Sequence, residues 1–334
     1  MIDIKNCPST LLERFDTYSP KALKTLFGGA KVNPILNFDI EEFRNVGEIA
    51  DAMHRISVSG VQEKFPAIIK SGEIRIAEDN ERSTHILKPA PWDKTLRDRK
   101  LIPANEHLTM QIASQVYGIQ TAANGLCFTP KGQPVYITQR FDIQSDGSKL
   151  PMEDFASIIG KNEQTAGLHF KYNGSYDDIA KAIRSNVAAW MVDMERFFEL
   201  VVFNYIYANG DAHLKNFSII LNGHDYRLAP AYDLLNTSLH VNGDDLGLDG
   251  GLSPDIEKSD VMERTGHPCR IDFERFGTKI GLVKKRMDKI LQKFTTLPEV
   301  ATKLIAQSFL TDKAERNYTR IINERINRFI RESE

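Results

Sequence analysis

Residues 209–233, NGDAHLKNFSIILNGHDYRLAPAYD, constrain the fold of this chain more than any other stretch. Just before them, residues 187–208 are apolar nearly all round, the pattern of a buried helix, and that helix must stop at Asn209-Gly210. A polar loop carrying Asp211, His213, Lys215 and Asn216 follows. Two β-like runs, FSIIL and YRLA, then bracket Asn222-Gly223-His224-Asp225, a hairpin signal. A hairpin of this size carries the chain out by about five residues at roughly 3.3 Å each and returns it by a similar distance. Asp233 is therefore expected to come back beside Asn216 and Asp211.

Two carboxylates and one amide meeting at a loop suit Mg²⁺ with phosphates, because this ion takes one or two protein carboxylates and leaves its other positions to phosphate and water. Asp211 and Asn216 also show the Asp-x4-Asn spacing of a protein-kinase catalytic loop. On that reading Asp211 is the base that accepts a hydroxyl proton, and Asn216 and Asp233 are the Mg²⁺ ligands. The competing reading is ordinary turn chemistry, since Asp and Asn side chains both satisfy backbone groups in loops. His213 taken alone reads as a packed, hydrogen-bonded side chain.

The first half of the chain supplies the other parts that phosphoryl transfer requires. FPAIIK (residues 65–70) and EIRIA (73–77) flank Ser71-Gly72 and read as a hairpin. THILK (84–88) is a strand stopped by Pro89 and Pro91, and GLCFT with PVYITQ forms a second hairpin candidate around Pro130-Lys131-Gly132. Between them lies one helix candidate, residues 103–117, with Pro103 in its first turn, Gly118 just past its end, and Leu108, Ile112 and Val116 at helical spacing. Lys88 at the end of its strand could reach ATP phosphates, and Glu106 on the helix could hold that lysine as an ion pair. Each also has a plainer reading, Lys88 as a solvated strand end and Glu106 as a first-turn residue favoured by the helix dipole. Residues 55–65, RISVSGVQEKF, fall where a phosphate loop would lie, yet Gly60 is their one glycine and the G-x-G-x-x-G pattern is absent; a plain turn fits as well.

The second half reads as mostly helical. Ser175 and Asp178 have capping-box spacing, and helical periodicity recurs over 272–294, 297–310 and 314–330. At 334 residues the chain is expected to form about two domains. The expected architecture is α+β: a two-lobed, protein-kinase-like fold with a β-rich N-lobe (1–145) and a larger α-helical C-lobe (146–334), divided near residues 142–151.

Charge and cysteine content remove other classes. Lys plus Arg number 43 and Asp plus Glu 45, so the net charge of −2 gives no support to a nucleic-acid-coating surface. The most apolar stretch, residues 190–208, holds Asp193, Glu195, Arg196 and Glu199, too many charges for a membrane span. The N-terminal residues show no basic-then-apolar secretory pattern. Cys7, Cys127 and Cys269 are widely spaced and form no C-x-x-C pair, as expected for thiols in a reducing cytoplasm.

Taken together, SVSGVQEK (57–64), THILKPAP (84–91), NEHLTMQIA (105–113), TQRFD (138–142), EDFASIIG (153–160), NGDAHLKNFSI (209–219) and LAPAYDLL (228–235) resemble, in order, the HipA-like toxin kinases of bacterial toxin–antitoxin systems. The resemblance implies Asp211 as catalytic base, Asn216 and Asp233 as Mg²⁺ ligands, and Lys88 as the ATP-phosphate lysine. It places the adenine-facing hinge at residues 139–141, including Gln139 and Phe141, and the ribose contact at Asp142. It makes Ser57 and Ser59 autophosphorylation sites in a phosphate loop that includes Gly60. A phosphate there would add about −1.5 to −2 charges beside a triphosphate. Only about 55 residues precede this loop, where longer family members carry an extra N-terminal subdomain. That resembles the short HipT-type branch, which implies a HipS-like small antitoxin and a HipB-like DNA-binding protein as partners, with an aminoacyl-tRNA synthetase as substrate. Direct nucleic-acid or membrane binding is not expected.

Many protein kinases carry a lysine two residues after the catalytic Asp. Here that position is His213, which leaves the group that neutralises the γ-phosphate open between His213 and Lys215. Asp-x-His-x-x-Asn also resembles the loop of aminoglycoside-phosphotransferase-type small-molecule kinases, against which SVSGVQEK and TQRFD weigh. A pseudokinase that serves only as a binding module is the non-enzymatic alternative.

Overall fold

The protein is described here from a computed structural model, over residues 4–40 and 63–331. The expected phosphate-loop residues Ser57, Ser59 and Gly60 lie outside the described residues.

After a short helix α1 (Pro20–Phe27), five strands form one antiparallel sheet in the order β2-β1-β3-β5-β4. These are β1 (Phe65–Lys70), β2 (Glu73–Ile76), β3 (His85–Lys88), β4 (Asn124–Phe128) and β5 (Pro134–Gln139). Lys70 pairs with Glu73 across a two-residue turn in which Ser71 and Gly72 both have positive φ, the primed turn whose twist matches the strands. One face of the sheet packs on α1 and the N-terminal segment through Cys7, Tyr18, Leu26, Ala67, Leu87 and Ile137. The three cysteines are free and buried.

The helix α2 (Ile102–Gln115) crosses behind this sheet and joins it to the rest of the molecule. Pro103 stands in its first turn and Gly118 follows its end with φ +70°. Its apolar spacing predicts one buried stripe, but every residue from 102 to 113 is buried. Polar side chains on the remaining faces are therefore each tied down. Asn105 donates to the Asn236 carbonyl, His107 meets the Ser9 carbonyl, Thr109 meets the Tyr318 hydroxyl, and Gln111 donates to Asn124.

The remainder is a helical lobe built on one continuous core. A small antiparallel sheet, β6 (Met152–Asp154), β7 (Ser218–Asn222) and β8 (Asp225–Leu228), lies at its edge. Its helices are α3 (Phe155–Ile158), α4 (Glu163–Ala166), α5 (Tyr176–Asn186), α6 (Trp190–Ile206), α7 (Asp260–Thr265), α8 (Arg270–Lys279), α9 (Lys284–Gln292), α10 (Glu299–Ala306) and α11 (Asp312–Phe329). The Ser175–Asp178 capping box opens α5. The α+β, two-lobed expectation holds. Two details differ. Residues 272–294 are two helices, broken where Gly281 adopts φ +87° and Leu282 bonds back to Gly277. The three-residue strand β6 was not anticipated, being too short to show alternation.

Among the described residues no helix is long and apolar enough to cross a membrane.

Candidate active site

The site forms where the inner end of β3, the helix α2, and the loops around β7 and β8 meet. Lys88 is the last residue of β3, and its ammonium is buried. It donates to Glu106 at 2.6 Å and also to Asp233, while lying 5.2 Å over the Tyr136 ring. Burial alone would lower its pKa, but Asp233 and Glu106 outweigh that and hold it above the ordinary lysine value. Glu106 is 3% exposed; burial pushes its carboxyl up against the pull of Lys88. Glu106 is thus an ion-pair partner in the interior, not a first-turn residue facing water, and Lys88 is not a solvated strand end.

The chain returns to this pair as the hairpin predicts. Asn222 pairs with Asp225 across a two-residue turn led by Gly223 at φ +68°. Asp233 then adopts φ +56°, a sparsely populated conformation for a residue with a side chain, which costs of order 1–3 kcal/mol and marks a position held for a purpose. Asn209 donates to its carbonyl at 3.4 Å. Its carboxylate accepts from Lys88, from Lys64 at 3.5 Å and from the Asn216 amide at 3.4 Å. Enclosure raises the Asp233 pKa, yet Lys64 and Lys88 prevail and hold it well below the usual carboxylate range.

The loop between α6 and β7 is pressed into shape by its neighbours. A Cβ on Gly210 would sit 2.4 Å from the Asp244 carbonyl oxygen, and one on Gly247 would sit 2.4 Å from the Ala212 nitrogen. Residues 243–250 therefore lie directly on the loop, and two glycines make room for it. Asn216 closes the loop by accepting from the His213 backbone N–H at 3.0 Å. Asp211 accepts a 2.6 Å hydrogen bond from the Tyr172 hydroxyl. His213 is 5% exposed, its ring stands edge-on to Tyr172, and its Nδ1 has no hydrogen-bond partner among the described residues. Burial, opposed by Asp211, pulls its pKa down to about 4, so the ring is neutral at pH 7.

Lys88, Glu106, Asp211, Asn216 and Asp233 are therefore brought to one place, with His213 beside them. Lys215 pairs instead with Asp154 of β6 at 2.6 Å. Gln139 ends β5 and bonds through its backbone to Ala123, and Phe141 packs against Tyr232. Both Asp142 oxygens accept from Arg140, at 3.0 and 2.7 Å.

Comparison with known proteins identifies the family and the fold. Residues 56–301 match the HipA-like C-terminal domain family. The chain belongs to that family. It is 28% identical over 323 residues to a Haemophilus influenzae protein named "Putative kinase", covering 89% of this chain and 88% of that one. It is 24% identical over 215 residues to the serine/threonine-protein kinase toxin HipA of Shewanella oneidensis, covering 58% of this chain and 46% of that one. The solved complex of Shewanella HipA with HipB and its operator DNA contains a chain of the same fold, at TM-score 0.63 and 18% identity, covering 86% of this chain and 71% of that chain.

Three residues beside these groups have no role in the sequence analysis: Lys64, Lys171 and Tyr172. Lys64 stands at the end of SVSGVQEK, but nothing in that run points it at Asp233. Tyr172 reaches Asp211 from 39 positions away, so no local spacing announces it.

Proposed function

We propose that this chain is an ATP-dependent kinase of the HipA type that transfers the γ-phosphoryl group to a protein serine or threonine hydroxyl. The observation that carries the reading is the buried Lys88–Glu106 pair meeting Asp233, with Asn216 and Asp211 on the adjoining loop. We divide the chain into residues 1–145 and 146–334, with ATP between the two parts. Lys88 binds its phosphates, residues 139–141, including Gln139 and Phe141, face adenine, and Asp142 meets the ribose.

A cation fits at Asp233, since two ammonium groups already converge on its carboxylate. Asp233 and Asn216, the latter through the remaining lone pair of Oδ1, would hold Mg²⁺, one carboxylate and one amide being the sparse oxygen set this ion accepts alongside phosphates. Bound there, it would neutralise charge on the phosphates. Asp211 accepts the proton of the attacking hydroxyl. The hydroxyl oxygen forms a bond to the γ-phosphorus while the bond to the β–γ bridging oxygen breaks, and ADP leaves with that electron pair.

The finer reading is a toxin of a toxin–antitoxin system, with HipS-like and HipB-like partners and an aminoacyl-tRNA synthetase as substrate. Its own Ser57 and Ser59 are autophosphorylation sites, and phosphate there repels the nucleotide. The test is incubation with γ-labelled ATP, Mg²⁺ and a bacterial lysate, followed by peptide mapping of this chain. Label is expected in a protein band and on Ser57 or Ser59, and Asp211→Asn should lower transfer by about 10²–10⁴-fold, the usual worth of a general base. Label confined to small molecules would replace the protein-kinase reading with a small-molecule one.

A further inference from the structure

The catalytic loop offers no cation of its own for the transferred phosphoryl group. His213 stands where many kinases carry a lysine, but its ring is enclosed against Tyr172, and Lys215 pairs with Asp154. A neighbouring segment carries a further cation to this side of the site.

Residues 171 and 172 form such a segment. The Lys171 carbonyl accepts from Leu214 N–H of the catalytic loop at 3.0 Å, and the Tyr172 carbonyl accepts from Asp249 N–H at 3.0 Å. The dipeptide is thus laced between the loop and the 243–250 segment that presses on it. Its side chains turn to the site. Tyr172 donates to Asp211, its ring meets His213 at 5.2 Å, and the Lys171 ammonium rests over that ring at 4.9 Å. Burial lowers the Lys171 pKa, and the Asp211 carboxylate opposes that shift.

We propose that Lys171 is a catalytic residue of the phosphoryl transfer: from outside the catalytic loop, it supplies the positive charge that the γ-phosphoryl oxygens need beside Asp211. Tyr172 is a positioning residue, fixing Asp211 and carrying the Lys171 stem across its ring. Charge spread over the phosphoryl oxygens in transfer is stabilised by such preplaced cations, and a kinase has little other chemistry to perform. This inference rests on the kinase reading above and deepens it.

The test uses the full chain, γ-labelled ATP, Mg²⁺ and the labelled acceptor or the chain's own autophosphorylation. Lys171→Met should lower kcat by about a hundredfold, the scale of one lost electrostatic contact. KM for ATP should stay within about threefold, because Lys88 still binds the nucleotide, and the melting temperature should be unchanged, since Lys171 is only half-buried. Lys171→Arg, which keeps the charge, should recover most of the rate. The inference is overturned if Lys171→Met keeps its kcat, or if Lys171→Arg is as slow as Lys171→Met while both remain folded. Should Lys171→Met unfold, Lys171→Gln is measured against the same outcomes, and Lys171→Arg alone still decides whether charge matters. Wild-type protein that neither binds ATP nor transfers label would instead overturn the kinase reading itself.

Discussion

Lys88 and Lys171 both lie among the acidic groups of one site, yet the protein treats them oppositely. Lys88 is sealed against Glu106 and Asp233, on a strand and a helix whose other contacts fix them in the core. Lys171 lies half-buried on a loop, resting on an aromatic ring, with burial drawing its pKa down against the pull of Asp211. On the nucleotide side the charges are paired before any ligand arrives. On the proposed hydroxyl side the Asp211 carboxylate is held, among the described residues, by the neutral Tyr172 hydroxyl, so in the proposed transfer its partner stays exchangeable. Stability is invested at the first end and adaptability at the second.

The largest expected effect tests the sealed end. Lys88→Met leaves Glu106 and Asp233 without their shared ammonium, and breaking a buried pair on one side costs about 3–5 kcal/mol. Chemical denaturation should show that loss, and ATP binding should fall with it. Adding Glu106→Gln should return part of the stability, because the interior then holds one charge fewer. An unchanged denaturation midpoint in Lys88→Met would dissolve the contrast between the two lysines.

A second effect comes from the same helix. His107 is fully buried, and burial, against the bond to the Ser9 carbonyl, pulls its pKa down to about 4. The unfolded chain takes up this proton as pH falls through its ordinary value of 6.5, while the folded chain resists until about 4. Stability from this group is therefore complete above pH 6.5 and is lost as pH drops toward 4, by about 2 kcal/mol at pH 5. Unfolding free energies at pH 7 and pH 5 should differ by at least this amount, and His107→Gln should flatten the slope. An equal slope in the variant would mean that α2 is open to water, contrary to the sealed-end description.

The sealed end was also the legible end. Both hairpins, the helix with its Pro103 and Gly118 limits, and the return of Asp233 all follow from turn chemistry and spacing, which act over a few residues. Lys88 and Glu106 were readable because a strand end and a helix each have one obvious place in a two-lobed kinase-like fold. What escaped depended on groups far apart in sequence. The burial of α2 on every side needs Ser9, Asn236 and Tyr318, none of which is visible from the helix itself. The break at Gly281 hides inside continuous helical periodicity. Lys171 and Tyr172 have no motif, because their place is set by backbone bonds to Leu214 and Asp249 rather than by neighbours in the chain.

The smallest effect probes the adaptable end most directly. Tyr172→Phe keeps the ring under Lys171 and beside His213 and removes only the hydroxyl that donates to Asp211 at 2.6 Å. A typical hydrogen bond contributes about 0.5–1.5 kcal/mol net, and since Asp211 is partly solvated and water can replace the donor, the low end of that range applies. The folded state should therefore lose little, within about 0.5–1 kcal/mol in denaturation. The rate should drop by about tenfold, because Asp211 then samples orientations that do not face the incoming hydroxyl. The loss should fall on kcat and leave the KM for ATP alone, since Lys88 and Asp233 are untouched. If the variant instead weakened ATP binding with kcat intact, Tyr172 would belong to the nucleotide end, and the division of the site into a sealed half and an adaptable half would be wrong.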